Sequence, residues 1–165
     1  MRVSPEHKEV LKRFRSSAPV DVTALAESLG LQVWEDDTLA ANVSGKIFKD
    51  SGCASASGFS ISVKSSDAYV RRRFTVAHEI GHFLLHRDKI GSSLTDDGLY
   101  RSNLSTLEEI EANRLAADIL MPGELVRDYV RKYGNENTSL LASIFKVSES
   151  AMIIRLGYRP IPEGV

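Results

Sequence analysis

Two histidines and a glutamate stand close together near the middle of the chain, in the stretch HEIGH. His78 and His82 are four residues apart, and Glu79 directly follows the first of them. On an α-helix this spacing places the two histidines about 40° apart on one face, so both imidazoles can reach one ion. Glu79 is rotated by about 100° from His78 and flanks that ion, where a carboxylate can take a proton from an attacking water. The pattern is typical of a hydrolytic zinc site, and the alternative is an amphipathic helix with incidental histidines.

A catalytic zinc needs a third protein ligand, and neither of the other two histidines in the sequence can supply it. His86 lies eight residues beyond His78. That separation is about 12 Å along a helix axis and 80° around it, so these two residues cannot share an ion. His7 is the only other histidine, and it stands in an N-terminal helix candidate without nearby ligands. The third ligand is therefore expected to be a carboxylate, from another helix.

A second helix candidate, TLEEIEANRLAADILMP, offers that carboxylate. Glu109 and Asn113 lie on a stripe that consists otherwise of alanines and a leucine at helical spacing. Such small residues allow this helix to press closely on the motif helix, where Gly81 is also small. Glu109 would then reach the metal, and Asn113 would hydrogen-bond a ligand histidine.

The alternative for this second helix is an alanine-rich packing face with a solvated acidic first turn. Carboxylates there favour the helix dipole, which accounts for Glu108 and Glu111. Glu111 is rotated by about 200° from Glu109 and is expected to face solvent. The alternative does not account for Asn113, because a buried amide on an apolar stripe needs a partner.

The elements around these motifs predict an α+β fold in a single domain covering residues 1–165. Three short segments, LQVWEDD, VSGKIFKD and GFSISVKSS, are β-branched or alternating in polarity and are punctuated by Gly, Ser and Asp. They predict a small mixed β-sheet of about three strands. The sheet is expected to pack against a helical bundle. The predicted order is N-terminal helices in 1–30, the sheet in 31–66, metal-site helices in 67–122 and C-terminal helices in 123–165.

Composition excludes several classes of protein. The formal net charge of −1 gives no electrostatic reason to bind nucleic acid or an anionic membrane surface. The single cysteine excludes an internal disulfide, and the sequence shows neither a signal peptide nor a membrane span, so a cytoplasmic protein is expected.

The C-terminal stretch LLASIFKVSESAMIIRL is similar to a helix-turn-helix. Its second half offers Arg155 but also Glu149 and three apolar residues, too few polar side chains to read bases or bind phosphates. A packed helix pair and no direct nucleic-acid binding are therefore predicted.

The chain resembles the ImmA/IrrE metallopeptidases, gluzincin-like proteins of bacteria and their mobile elements. The resemblance covers PVDVTALAESLGLQV, RRRFTVAHEIGHFLLH and EIEANRLAADILMP, with mild departures at Leu115 and Ile119. It implies a thermolysin-like zincin core built around the HExxH helix, Zn²⁺ as cofactor, and Glu109 as the third metal ligand. It also implies that the partner is a protein substrate, typically a helix-turn-helix repressor encoded nearby.

Two function classes stay open on the sequence. The first is an intracellular zinc endopeptidase of narrow specificity, and the second is a non-proteolytic, toxin-like regulator that uses the metal site as a scaffold. The presence of Glu79 favours the first, because a scaffold needs no general base.

Substrate binding and transition-state stabilisation give further expectations. The candidates for the donor that stabilises the oxyanion are Tyr69, Arg72 and Tyr100. The strand candidate FSISVKSS is expected to border the cleft with a free edge that pairs with an extended peptide. The polar loop from Arg87 to Ser105 is long enough to act as a lid.

Overall fold

A computed structural model gives the fold and describes residues 3–50, 54–91 and 105–157. These ranges contain seven α-helices and a three-stranded mixed sheet, which confirms the predicted α+β class. The helices are α1 (Pro5–Phe14), α2 (Val22–Ser28), α3 (Tyr69–His86), α4 (Thr106–Leu120), α5 (Gly123–Tyr133), α6 (Thr138–Phe145) and α7 (Glu149–Arg155); the strands are β1 (Gln32–Asp36), β2 (Gly45–Lys49) and β3 (Phe59–Lys64).

The starts of three helices follow from short polar side chains at their N-caps. Ser4, Asp21 and Ser105 each accept a hydrogen bond from the backbone N–H three residues later. Ser105 and Glu108 form a reciprocal capping box, in which the Glu108 carboxylate also accepts from the Ser105 backbone N–H at 2.7 Å. At the other end of α4, Pro122 lacks an N–H and stands directly after the C-cap. These local signals determine where α4 begins and ends, and they thereby determine the position of Glu109 on the helix.

The sheet order corrects one prediction. The order is β1-β3-β2, with β3 parallel to β1 and antiparallel to β2. The expected free edge on FSISVKSS is therefore wrong, because β3 is the central strand and is paired on both sides. Its sequence suggested a solvent face because serines alternate with apolar residues, but Ser60 and Ser62 are both buried. The Ser60 hydroxyl donates to the Asp50 carboxylate at 2.7 Å, which compensates for its burial.

Helix α3 lies at the centre of the molecule, between the sheet and α4. Its Phe83 packs edge-on against Phe59 of β3, with ring centroids 5.5 Å apart. Near its N-terminal end, the buried Arg73 guanidinium donates to the carbonyls of Val20 at 2.8 Å and Lys146 at 3.1 Å. Three separate parts of the chain thereby hold the helix that carries the HEIGH motif. These hydrogen bonds hold the helix in position strongly, because breaking them would leave a buried, charged guanidinium without hydrogen-bond acceptors.

Helices α6 and α7, which carry the stretch LLASIFKVSESAMIIRL, form a packed pair, as predicted. Leu141, Phe145 and Met152 are buried between α6, α7 and the core. Arg155 of α7 donates to the Met121 carbonyl at 3.0 Å and pairs with Asp118 of α4 at 2.9 Å. The pair therefore supports the C-terminal half of α4. Among the described helices, none is both long enough and apolar enough to cross a bilayer.

The described ends of the connection between α3 and α4 are joined by an ion pair. A short 3₁₀ turn, Arg87–Lys89, follows α3, and the Lys89 ammonium contacts the buried Glu108 carboxylate. The predicted lid falls largely on residues 92–104, which lie outside the described ranges, so the lid stays a prediction.

Candidate metal centre

His78, His82 and Glu109 meet at the contact between α3 and α4. The two Nε2 atoms of the histidines are 2.9 Å apart. The Glu109 carboxylate lies with Oε1 3.2 Å from Nε2 of His82 and Oε2 3.3 Å from Nε2 of His78. Within the described ranges, these three side chains form a group that could hold one metal ion. The structure thus brings together the three residues that the sequence predicts as metal ligands.

The distances between the nitrogen and oxygen atoms of these three side chains fit a tetrahedral ion. Zinc bonds to histidine nitrogen and carboxylate oxygen are about 2.0–2.2 Å long, so neighbouring ligand atoms in a tetrahedron lie about 3.3–3.5 Å apart. The observed separations of 2.9–3.3 Å are slightly shorter and converge on one point. The His82 side chain is 2% exposed whereas that of Glu109 is 41% exposed. One side of the cluster is therefore open to solvent, as a catalytic site requires.

Close contact between the two helices explains why Glu109 reaches the histidines. A Cβ atom built on Gly81 of α3 would lie 3.0 Å from the Ala112 carbonyl oxygen and 3.1 Å from its Cα. The backbone of α4 therefore passes so close to Gly81 that a methyl group there would make a tighter contact than side chains ordinarily make. This closeness places the first two turns of α4 beside the histidine face of α3.

Gly81→Ala should loosen this contact and weaken the metal site. The added methyl group meets backbone, which cannot rotate away, so α4 must shift. Overpacking of this kind costs about 1–3 kcal/mol of unfolding free energy, more than the roughly 1 kcal/mol that alanine gains in helix propensity. We expect lower stability in denaturant and lower zinc affinity by chelator competition.

Gly123→Ala is the matched control, because a Cβ there would lie 3.4 Å from the Arg127 side chain at an ordinary contact distance. Zinc affinity equal to the parent in Gly81→Ala would contradict the importance of the close approach.

Asn113 lies beside His78, at the position expected for a residue that orients a ligand. Its Oδ1 is 2.9 Å from Nδ1 of His78. With the amide oxygen as acceptor, His78 carries its proton on Nδ1 and presents the lone pair of Nε2 to the cluster. Asn113 is exposed, so the expected burial of this amide is wrong, although its oxygen has His78 as a partner.

His86 and Glu111 form a contact that the sequence did not predict. Nδ1 of His86 is 3.1 Å from Nδ1 of His82, and Nε2 of His86 is 2.9 Å from the Glu111 carboxylate. His86 lies outside the three-residue metal group of the described residues, and both of its ring nitrogens contact other side chains. Glu111 is exposed, as expected, but it also contacts His86, and the hydrogen bond from His86 lowers the pKa of the Glu111 carboxyl.

Glu108 also differs from its expected solvated state. It is 7% exposed, closes the capping box and pairs with Lys89. Only the contact between His82 and His86 had a signal in the sequence, because His78, His82 and His86 are spaced four apart and share one face of α3.

Glu79, the expected general base, lies on α3 beside the ligand histidines and is only 2% exposed. Its burial excludes the role of an ordinary solvated helix carboxylate. Its place on α3 directly after the ligand His78 is the one that the expected general base requires.

The described candidates for oxyanion stabilisation lie elsewhere. Arg72 donates to Glu35 of β1 at 2.7 Å. Tyr69 is 57% exposed at the first position of α3, about 13 Å along the axis from His78. Tyr100 falls outside the described residues. His7 packs near the ring of Phe83, with centroids 5.9 Å apart, and takes no part in the cluster.

Comparison with known proteins agrees with the chemistry of this cluster. The model of the Peptidase_M78 family, described as the IrrE N-terminal-like domain, matches residues 26–157. The chain belongs to this metallopeptidase family. The match includes the HEIGH helix and all of α4, and it supports a metal cofactor at the His78, His82 and Glu109 cluster.

Two curated relatives are radiation response metalloproteases named IrrE. The protein of Deinococcus deserti is 36% identical over 94 residues, which are 56% of this chain and 34% of the relative. That of Deinococcus radiodurans is 33% identical over 105 residues, 62% of this chain and 32% of the relative. The matched regions thus cover about a third of the length of each relative.

A solved structure of a Mycobacterium tuberculosis transcriptional regulator shares the fold. It superposes with a TM-score of 0.62 over 98% of this chain and 49% of that one, at 17% sequence identity. At this identity the likeness concerns the fold alone.

Proposed function

We propose that this chain is a zinc-dependent endopeptidase with narrow specificity. The observation that carries the proposal is the convergence of His78, His82 and Glu109 on one point, with Glu79 buried beside them. Family membership supports peptide hydrolysis as the reaction. A thermolysin-like core is proposed on the same basis, since the metal ligands come from an HExxH helix and a following helix.

The side chains divide the work of hydrolysis among them. His78, His82 and Glu109 would hold the ion, and Asn113 keeps His78 in the required tautomer. When bound, zinc supplies a Lewis acid that polarises the carbonyl and acidifies water. Glu79 takes the proton from the water that attacks the peptide carbonyl and returns it to the departing amine.

The choice of zinc follows from the ligand set and the reaction together. Two imidazoles and one carboxylate suit zinc in hydrolytic enzymes and also suit Fe(II) in oxygenases. A buried carboxylate directly after the first ligand histidine fits hydrolysis, since it provides the base that proton transfer needs. Zinc is therefore the proposed cofactor.

The proposed substrate is one folded partner protein, a helix-turn-helix repressor, which places the reaction inside the cell. The resemblance to ImmA/IrrE metallopeptidases supports this class of partner. Strand pairing at β3 cannot supply affinity, because β3 is paired on both sides. Selectivity is therefore proposed to come from docking of the folded partner on the surface around the cluster.

Incubation with two kinds of substrate tests this specificity. The purified chain should cleave the helix-turn-helix protein encoded beside it, in a reaction that a zinc chelator stops, and should leave casein almost intact. Efficient zinc-dependent digestion of casein would contradict narrow specificity.

The second candidate function is a non-proteolytic, toxin-like regulator that binds a DNA-binding protein through the metal-site surface. Buried Glu79 argues against it, because a scaffold has no use for a base. Stable binding of the neighbouring repressor without cleavage, by the zinc-loaded chain, would favour this candidate.

A further inference from the structure

A chain of polar contacts runs from His82 away from the metal cluster. His82 presents Nε2 to the cluster, and its Nδ1 lies 3.1 Å from Nδ1 of His86. His86 in turn places Nε2 2.9 Å from the Glu111 carboxylate. His82 and His86 are buried, whereas the Glu111 side chain is 58% exposed. The chain therefore links a solvent-facing carboxylate to a buried ring.

Only one arrangement of protons makes every contact in this chain a hydrogen bond when His82 is a neutral ligand. A ligand nitrogen must offer its lone pair, so His82 carries its proton on Nδ1 and donates to Nδ1 of His86. Nδ1 of His86 must then be the acceptor, which puts the His86 proton on Nε2. Glu111, whose ionised carboxylate can only accept, receives that proton's hydrogen bond.

We propose that His86 and Glu111 are positioning residues for His82, fixing its tautomer and ring orientation so that it binds the metal tightly. The inference rests on the proposed metal site and goes beyond it by assigning a role to two residues that are not ligands. Groups that hydrogen-bond a ligand histidine fix its orientation and raise its basicity. Here the carboxylate acts through an intervening imidazole instead of touching the ligand ring.

The two ligand histidines are thus oriented in different ways. His78 donates to the neutral amide of Asn113 directly. His82 is more deeply buried than His78, and Glu109 of α4 contacts both rings, with Oε1 3.2 Å from His82 and Oε2 3.3 Å from His78. A second carboxylate of α4 therefore meets His82 only through His86, one turn further along α3. This geometry accounts for the presence of a third histidine four residues after the motif.

The competing explanation is a structural tie, in which His86 and Glu111 merely pin α3 to α4. Asp118 offers a matched control for that case. It is a carboxylate on the same helix, partly exposed, and it accepts from Arg155 of a neighbouring helix at 2.9 Å without touching the cluster. A mere tie predicts that Glu111→Ala and Asp118→Ala behave alike.

The test measures zinc affinity of the purified full chain by competition with a chromophoric chelator. We expect His86→Phe to reduce affinity by about 10–100-fold, the range typical of lost partners of ligand histidines. Glu111→Ala should reduce affinity less, because Glu111 is exposed and water can replace it. Glu111→Gln should restore most of the affinity, since its amide oxygen still accepts the hydrogen bond, and Asp118→Ala should match the parent.

A second measurement reports on His82 itself. Long-range ¹H–¹⁵N NMR spectra of the zinc-loaded chain should show a protonated Nδ1 on His82 and a protonated Nε2 on His86. Glu111→Ala should change the His86 signals and broaden or shift those of His82, while Asp118→Ala leaves both unchanged.

The outcomes separate this inference from the proposed function. If the parent binds zinc and both Glu111→Ala and folded His86→Phe bind it equally well, the inference is wrong and the metal site stands. If His86→Phe does not fold, equal affinities of the Glu111→Ala chain and the parent still overturn it. If the parent binds no zinc, the proposed function fails and the inference fails with it.

Discussion

Replacing Glu79 with glutamine should remove most of the peptidase activity while leaving the metal in place. The amide keeps the shape of the side chain but cannot accept a proton from water. Cleavage should therefore fall by about 10²–10⁴-fold, the usual contribution of a general base. Because Glu79 is rotated away from the ligand face of α3, zinc content should stay at the level of the parent. The measurements are the rate of repressor cleavage and the zinc content of the same preparation.

Glu124→Gln is the control for this experiment, because it makes the same chemical change at an exposed position in the first turn of α5. It should cleave at the rate of the parent. Undiminished cleavage by Glu79→Gln would rule out the proposed proton transfer. Loss of zinc from Glu79→Gln would show instead that the carboxylate helps to hold the ion.

Removal of one ligand should have the largest effect on metal binding. We expect about one zinc per chain in the parent, which corresponds to the single cluster of three ligands found in the described residues. His82→Ala should lose the ion, and Glu109→Ala should bind it much more weakly. The loss in each case should exceed the 10–100-fold effect of residues that contact a ligand. Elemental analysis and chelator competition measure these effects.

A comparison of Glu109 with Glu111 tests the register of α4. Oε1 and Oε2 of Glu109 lie 3.2 and 3.3 Å from the histidine nitrogens of the cluster, whereas Glu111 contacts His86. Glu109→Ala should therefore weaken zinc binding more than Glu111→Ala does. The reverse order would mean that Glu109 is not the third ligand and that the rotation of α4 about its axis is wrong.

Local features were the most predictable from the sequence. The caps at Ser4, Asp21 and Ser105 depend on groups three residues apart, and the helix in HEIGH depends on spacing within one turn. The convergence of Glu109 on the two histidines also followed, because a stripe of small residues indicated which face of α4 packs closely. The sequence thus predicted the α+β class and which residues form the cluster.

The pairing of the strands was less predictable. Which strand lies at the centre depends on contacts between segments far apart in the chain, and β3 has no local feature that distinguishes it from an edge strand. Its serines suggested one wet face, yet Ser60 is buried against the Asp50 carboxylate. Alternation in polarity therefore indicates a strand but does not determine its neighbours.

The contacts of His86, Glu108 and Glu111 were missed for a similar reason. A helical wheel compares residues with a single neighbouring surface, and on that basis Glu111 faces away from Glu109. In the structure, α4 meets both the last turn of α3 and the turn that follows it. His86 and Lys89 therefore contact Glu111 and Glu108, two carboxylates three residues apart on one side of α4. The angle at which two helices cross is a tertiary property that neither segment encodes alone.

The division of the ligands between α3 and α4 also couples metal binding to folding. Unfolding separates Glu109 from His78 and His82, so the unfolded chain loses the arrangement that binds the ion. An ion that binds only the folded state adds about 2.7 kcal/mol to its stability when free metal is a hundred times the Kd. For a domain of marginal stability this linkage is large enough to change the fraction of molecules that are unfolded and open to degradation. Metal starvation would then reduce the amount of the protein in the cell as well as its activity.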